Sequence, residues 1–459
     1  MSLTSLSFIG IYFPLLILAY YFPLFKSRKY RNVILLLASI GLYAFAEPIY
    51  ILFLLSSVAI NYSLFCLSDK TGHKSWTVIG ICIDVFALAF FKYINQFLAA
   101  FTFIGVHISQ VAFPIGLSFF TFREISFLVE SKKLSRSIKI GFMESALFIT
   151  NFMTISAGPL GMFDLEINQY TKRKESKEKI QEGICRFATG LIKKIIIADS
   201  LQSLVSICFA QHDISVCMAW IGAIAYTLQI YFDFSGYSDM AVGLGKIFGF
   251  EFMENFNLPY TATSICDFWK RWHMSLTKWF TRYVYFPLGG SRVNHVYRHI
   301  LNLLIVWFCT GIWHGSQWTF ILWGMIYFVF QTLEKYTKLS RTLNTFHLGH
   351  MYTMLIVILC WVIFRSDSIA SAFSYIGSMF GKEFSCIICN EDIETVKFYF
   401  IPLVAGILFS STFVNRLKER AQQSGPISIA VNALTLCLFI VSIVLIIGRG
   451  YTAPMYAKF

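Results

Sequence analysis

Apolar residues run along this chain in long blocks separated by short polar and basic stretches. The blocks fall at roughly 6–25, 31–46, 48–67, 75–103, 111–129, 138–157, 180–198, 214–245, 300–333, 351–365, 398–414 and 427–448. A bilayer core of about 30 Å takes about 20 apolar residues per helical crossing. The pattern predicts an all-α, polytopic integral membrane protein. It would have about 11–12 transmembrane or re-entrant helices, plus interfacial amphipathic helices. The block at 300–333 is too long for one crossing, since a straight helix of that length would extend about 50 Å. It also carries a break signal, Gly311-Ile-Trp-His-Gly315 followed by Ser316 and Gln317. The expectation is two helices with His314 at the interruption, where irregular backbone must be buried in protein or line a watery cavity.

Between Ile300 and Leu333 the ionisable side chains are His314, Cys309 and Tyr327. Two readings of His314 are open at this point. It holds a helix bundle together by a hydrogen bond, or it serves as a general base at the floor of a cavity. The blocks on either side of 113–116 (Phe-Pro-Ile-Gly) and 157–161 (Ala-Gly-Pro-Leu-Gly) also carry breakers and read as re-entrant.

The segment Asp267 to Arg292 has a different pattern. At helical spacing Trp269, Trp272, Leu276, Trp279 and Tyr283 form an aromatic stripe, and Arg271, Ser275, Lys278 and Arg282 a second, mainly basic one. This predicts a helix lying in the membrane interface, with His273 on the flank between the stripes. Lys270, Arg271 and Lys278 would meet a phosphate-bearing molecule arriving from the cytoplasm. In Tyr231 to Phe250, Asp233 and Asp239 read as aspartates capping or pairing inside the bundle, among glycines that permit close helix packing.

Composition sharpens the class. Charged residues make up 14% of 459 and hydrophobic ones 56%, against about 25% charged in soluble proteins. One integral membrane domain, 1–459, is expected. The N-terminal block reads as a retained span and not as a signal peptide, because no basic residue precedes it and no cleavage pattern follows. Net charge is +13. Its clusters at 26–31, 132–139, 172–194, 270–298, 335–341 and 416–420 read as cytoplasmic loops and argue against nucleic-acid binding. The acidic 383–394 stretch and the N-terminus are then expected outside. No metal site is expected. His295 and His299 read as solvated, and Cys386-Ile-Ile-Cys389 as a local disulfide or two plain thiols.

Several ordered motifs together resemble the membrane-bound O-acyltransferase family, and within it a bacterial branch that O-acetylates polysaccharides. They are Tyr231–Asp239, Asn255–Tyr260, Phe268-Trp-Lys-Arg-Trp-His273, Tyr285-Phe-Pro-Leu-Gly-Gly-Ser-Arg292, Gly311–Gly315 and Trp361-Val-Ile-Phe-Arg365. The resemblance implies that His314, and with it His273, is catalytic. It implies a cytoplasmic thioester donor, acetyl-CoA foremost, no bound cofactor, and an extracytoplasmic acetyltransferase partner. It implies a multi-pass protein of the bacterial cytoplasmic membrane. Trp313, Gln317 and Asn302 are candidate hydrogen-bond donors to a developing oxyanion. The tail Ala453–Phe459 matches the family's aromatic end only in part. D-alanyl transfer to teichoic acid is the alternative within the family. A polysaccharide or lipid-linked sugar transporter is the alternative outside it, although the chain shows no internal repeat of the kind many transporters carry.

Overall fold

In a bilayer every backbone N–H and C=O needs an internal partner, so apolar blocks of this length fold as helices. The computed structural model describes residues 3–23, 26–102, 110–211, 213–382 and 386–449. The tail Ala453–Phe459 lies outside the described residues. In chain order the α-helices are α1 Phe13–Tyr20, α2 Arg28–Ala46, α3 Ile51–Thr71, α4 Ser75–Thr102, α5 Leu117–Leu134, α6 Phe142–Thr150 and α7 Phe163–Lys172. Then come α8 Lys177–Ile192, α9 Asp199–Ala210, α10 Val216–Ile247, α11 Ile265–Arg271, α12 Met274–Phe280, α13 Val296–His314 and α14 Trp318–Tyr336. The rest are α15 Leu339–Thr345, α16 Gly349–Arg365, α17 Ile369–Met379, α18 Asn390–Phe409, α19 Phe413–Gln423 and α20 Gly425–Arg449. No strand occurs among the described residues.

Five of these are long and apolar enough to cross a membrane: α3, α4, α10, α13 and α20, or six spans if the bent pair α18–α19 is one. The protein is a multi-pass, all-helical membrane protein. Other apolar blocks become shorter helices, such as α16 and α17, or irregular backbone, which is why hydropathy alone counted about twice as many segments.

The chain divides into two compact units. Among the described residues, the first lies within 3–187, Tyr237–Met253 and 446–449; the second lies within Ala188–Gly236 and Glu254–Leu445. In the first unit α3, α4 and α5 pack through Phe53 against Phe91 (5.2 Å between ring centres) and Phe65 against Phe127 (5.5 Å). The expected breaks are present. Residues 151–162 are non-helical and almost wholly buried. Their ends are tied by side chains: Phe152 N–H donates to Ser39 Oγ, and Phe163 N–H to Ser126 Oγ. Gly116 starts α5 at φ +75°, and a Cβ there would meet Ile155 O at 2.4 Å, so both the conformation and the close approach require glycine.

Between α7 and α8, Glu175 gathers cations. Arg28 Nη1 lies 2.5 Å from Oε1 and Arg31 Nη1 2.7 Å from Oε2, and Tyr20 Oη donates to Oε1. Burial pushes this carboxyl's pKa up, but the hydrogen bonds from Arg28 and Tyr20 and the Arg28 charge outweigh it and bring the pKa down to about 2.

In the second unit α13 and α14 form the hairpin expected from the sequence. Their backbones meet at two glycines. A Cβ on Gly324 would lie 2.7 Å from Trp307 O, and one on Gly311 2.9 Å from Phe320 O. The turn is Gly315-Ser316-Gln317, and the Phe320 ring fills the space where a Gly315 side chain would stand. The expected aspartate pairing is present as well. Lys194 Nζ lies 2.6 Å from Asp233 Oδ1 and 2.5 Å from Asp199 Oδ1. In the first unit Arg186 Nη2 lies 2.6 Å from Asp239 Oδ1.

The continuous interfacial helix expected over 267–292 is not formed. The segment breaks at Trp272-His273 into α11, α12 and a π-turn over Thr281–Tyr285. Trp269, Trp272 and Trp279 are buried rather than set at headgroup level. The tryptophans pack inward because rings of other segments surround them, which hydropathy spacing alone cannot reveal.

Two outcomes test this packing. Gly324→Val should lower the unfolding midpoint in detergent through a clash costing about 1–3 kcal/mol, whereas Gly41→Ala, with nothing within 4 Å of the added Cβ, should not. Glu175→Gln should cost about 2–3 kcal/mol at neutral pH by leaving its guanidinium partners unpaired. The folded pKa lies below the carboxyl's ordinary value. Wild-type stability from this group is therefore complete above about pH 4.5 and lost as pH falls through about 2. The variant should lack that acid-dependent loss in melts across this range.

Candidate active site

Helix α13 stops at His314, which is 3% exposed. Four rings contact its imidazole: Trp313 at 4.5 Å, Trp323 at 5.0 Å, Phe364 at 5.1 Å and Phe320 at 6.4 Å between centres. Trp323 and Phe320 come from α14 and Phe364 from α16, so three helices converge on one side chain.

His273 sits at the α11–α12 break, 1% exposed, in the left-handed region at φ +43°. That conformation is uncommon outside glycine and is held here by neighbours. Asn255 supplies most of the restraint. Its carbonyl accepts Met274 N–H at 2.9 Å, and its side-chain Oδ1 accepts Ser275 Oγ–H at 2.5 Å and Ser275 N–H at 3.3 Å. Asn257 N–H donates to Arg271 O from the other side of the break. The His273 ring lies 4.6 Å from Phe234 and 6.4 Å from Trp313. Trp313 thus contacts both histidines. Burial alone pushes the His273 pKa down to about 3, so its imidazole is neutral at physiological pH.

The walls around the two histidines are aromatic. Trp272 packs on Trp361 at 4.9 Å and on Phe256 at 5.0 Å, and Trp361 continues to Phe364 at 5.5 Å and Trp323 at 6.2 Å. Trp269 meets Trp307 at 4.8 Å and Tyr327 at 5.0 Å. The indole N–H groups of Trp269, Trp323 and Trp361 are buried without an acceptor among the described residues. They are donors not consumed by the protein, and the sequence reading did not include Trp323 or Trp361 among its candidates. The tryptophan count in these segments was the available signal.

Helix α11 is aimed by its N-terminus. Ser264 Oγ accepts Asp267 N–H at 2.9 Å, and the Glu334 carboxylate, at the far end of α14, accepts Ile265 N–H at 2.7 Å and Cys266 N–H at 2.9 Å. A carboxylate on free N–H groups at a helix start is favourable in both hydrogen bonding and dipole. Glu334 and Asn255 position the histidine-bearing turn through its backbone and Ser275, and neither stood out in the sequence as a site residue.

The remaining candidates separate. Trp313 is in the site. Gln317 is exposed at the start of α14. Asn302 lies twelve residues before His314 on the same helix, about 18 Å along the axis. Its amide donates to Gly290 O at 3.0 Å, so it anchors the Pro287–Arg292 loop and is too far away to serve an oxyanion at His314. Lys270 and Lys278 are exposed on α11 and α12. Arg271 is engaged by Asp267 at 2.9 Å. His299 corrects the sequence reading. His295 is exposed, but His299 is 3% exposed, with Tyr285 Oη 2.6 Å from Nε2, Lys335 Nζ 3.0 Å from Nε2, and Tyr336 Oη hydrogen-bonded to Nδ1. It is buried because the 285–292 loop folds back onto α13. Cys386, Cys389 and Asp392 stand close enough to share a metal ion, but the two cysteines form a disulfide and offer no thiolates.

The fold and this site define a multi-pass membrane protein with a buried, aromatic-walled pair of histidines. The sequence model of MBOAT, the membrane-bound O-acyltransferase family, matches residues 95–376. A protein described as a probable alginate O-acetylase AlgI in Azotobacter vinelandii is 35% identical over 83% of this chain and 78% of its own length. A peptidoglycan O-acetyltransferase of Helicobacter pylori is 31% identical over 81% of this chain and 78% of its own. A teichoic acid D-alanyltransferase of Bacillus subtilis is 27% identical over 49% of this chain and 60% of its own. The chain belongs to the membrane-bound O-acyltransferase family, in its alginate O-acetylase-like branch, and is an acyltransferase.

Asn255→Ala should leave the protein folded but about 1–2 kcal/mol less stable, with acyl transfer reduced about tenfold or more by the loosened turn. Unfolding midpoints and turnover of a thioester substrate check the two parts separately.

Proposed function

We propose that this protein moves an acetyl group from a cytoplasmic thioester, acetyl-CoA, for O-acetylation of a cell-surface polysaccharide. The observation that carries this reading is the meeting of His314 and His273 around Trp313 in one buried aromatic enclosure. The relatives named for polysaccharide O-acetylation match over most of the chain, and the D-alanyl transferase over about half, which supports acetyl over D-alanyl transfer.

Neutral His314 accepts the proton of an attacking hydroxyl as its oxygen adds to the thioester carbonyl. The resulting oxyanion is met by indole N–H donors of the enclosure, Trp323 first because its ring contacts His314. Collapse expels the CoA thiolate, which takes the proton back from the imidazolium and leaves as free thiol. Neutral His273 assists proton transfer beside it by hydrogen bonding, without itself being held as an imidazolium. Water exclusion by the rings protects the thioester from hydrolysis. Lys270 and Lys278 draw the donor's phosphates to α11 and α12. Arg271, paired with Asp267, contributes less. No bound metal or cofactor is needed for these steps.

The same reading places the protein in the bacterial cytoplasmic membrane as one acyltransferase domain, 1–459, handing acetyl groups to an extracytoplasmic acetyltransferase. The Cys386–Cys389 disulfide supports an outward position for that loop, since disulfides persist in oxidising compartments. The test is thiol release from acetyl-CoA by purified membranes, comparing wild type with His314→Ala at equal protein level. Release that falls at least about a hundredfold in the variant is expected. Equal release by both forms would remove His314 from the chemistry. Release only with a D-alanyl carrier thioester would replace the donor.

A further inference from the structure

In the first unit α3, α4 and α5 enclose a cavity of about 90 Å³, whose polar lining includes Ser57, Asn61, Asp84, Thr121 and Glu124. Asp84 is 2% exposed, and Asn61 and Glu124 1% each. Each carboxylate has one oxygen occupied. Asn61 Nδ2 donates to Asp84 Oδ1 at 2.9 Å, and Ser57 Oγ to Glu124 Oε1 at 2.7 Å. The other side is open: Asp84 Oδ2 and Asn61 Oδ1 are buried acceptors with no donor among the described residues. No lysine, arginine or histidine lines the cavity.

Two ionised acids and an uncompensated amide oxygen in a membrane-embedded pocket are costly unless the acids are protonated or something positive sits among them. Protonation of the acids leaves the Asn61 oxygen without a donor unless one acid turns to it. The donors are all oxygen, which suits a hard cation rather than a thiolate- or imidazole-seeking one. The cavity is several times the roughly 10–15 Å³ that one water needs. That accommodates a metal ion with its bound water. We propose that this cavity is a hard-cation site, with Asp84, Glu124 and Asn61 as ligands and Ser57 and Thr121 completing the oxygen shell. Two carboxylates balance one divalent ion of the calcium class. If they share a proton, they balance one sodium ion. Either way the ion joins α3, α4 and α5 by bonds that the apolar packing does not supply, and the site is separate from the histidine enclosure of the second unit.

The experiment uses the full chain purified in detergent, stripped with chelator and held in choline chloride. Unfolding midpoints are measured on adding CaCl2 or NaCl, and bound ⁴⁵Ca²⁺ or ²²Na⁺ is counted on the wild type. One of these cations is expected to raise the midpoint by about 2 °C or more, with about one ion bound per chain. Asp84→Asn and Glu124→Gln should lose the response while still folding, because each removes a buried charge at nearly constant volume. A calcium response identifies the divalent source, and a sodium response the monovalent one. The proposal is overturned if no isotope binds the wild type. It is equally overturned if the midpoint responds to pH alone, or if both variants keep the full cation response.

Discussion

The hairpin of α13 and α14 depends on two backbones passing where no side chain fits. Gly311 and Gly324 remove the Cβ atoms that would otherwise strike Phe320 O and Trp307 O. Membrane helices gain little from hydrophobic association with one another, so this close van der Waals approach is a main source of cohesion. It also fixes the register. Trp307 and Tyr327 come within 5.3 Å, Trp323 is turned onto His314, and Glu334 is delivered at the far end to the first turn of α11. The histidine at the hairpin's tip and the carboxylate at its base are therefore set by the same contact.

Charge is handled by local neutralisation in both units. Lys194 in the second unit is almost fully buried but lies between Asp199 and Asp233. Glu175 in the first unit is surrounded by guanidiniums at the junction of α7 and α8. Isolated buried charges of either sign would be costly in these surroundings. Clustering leaves each group with partners at hydrogen-bond distance, and several of these clusters join segments far apart in the chain.

Much of this was legible in the sequence. The broken block at 300–333 gave the hairpin and placed His314 at its turn, because length against bilayer thickness is a strong constraint and Gly311–Gly315 marks the interruption. The breaks near 113–116 and 157–161, the ion-paired Asp233 and Asp239, and the family were legible too. The α11–α12 segment was not. Helical periodicity projected Trp269, Trp272 and Trp279 as a surface stripe, whereas the left-handed turn at His273 depends on Asn255 folding back from outside that window. His299 was misplaced for a similar reason, since nothing local to it shows that Tyr285 and Tyr336 arrive from either side. Asn302 was a candidate oxyanion donor beside His314, but about 18 Å of helix separates the two positions. Periodicity reports one element's own faces. It is silent on which distant segment covers them.

The enclosure around His314 has a consequence for chemoselectivity. The four rings in contact with the imidazole are two indoles and two phenyls, none of which is an acyl acceptor. A serine, cysteine or lysine in those places would compete for an activated acyl group and become trapped as a stable ester, thioester or amide. With aromatic surfaces there instead, none of the four rings in contact with His314 carries an alkyl hydroxyl, thiol or amine on which an acyl group could be trapped.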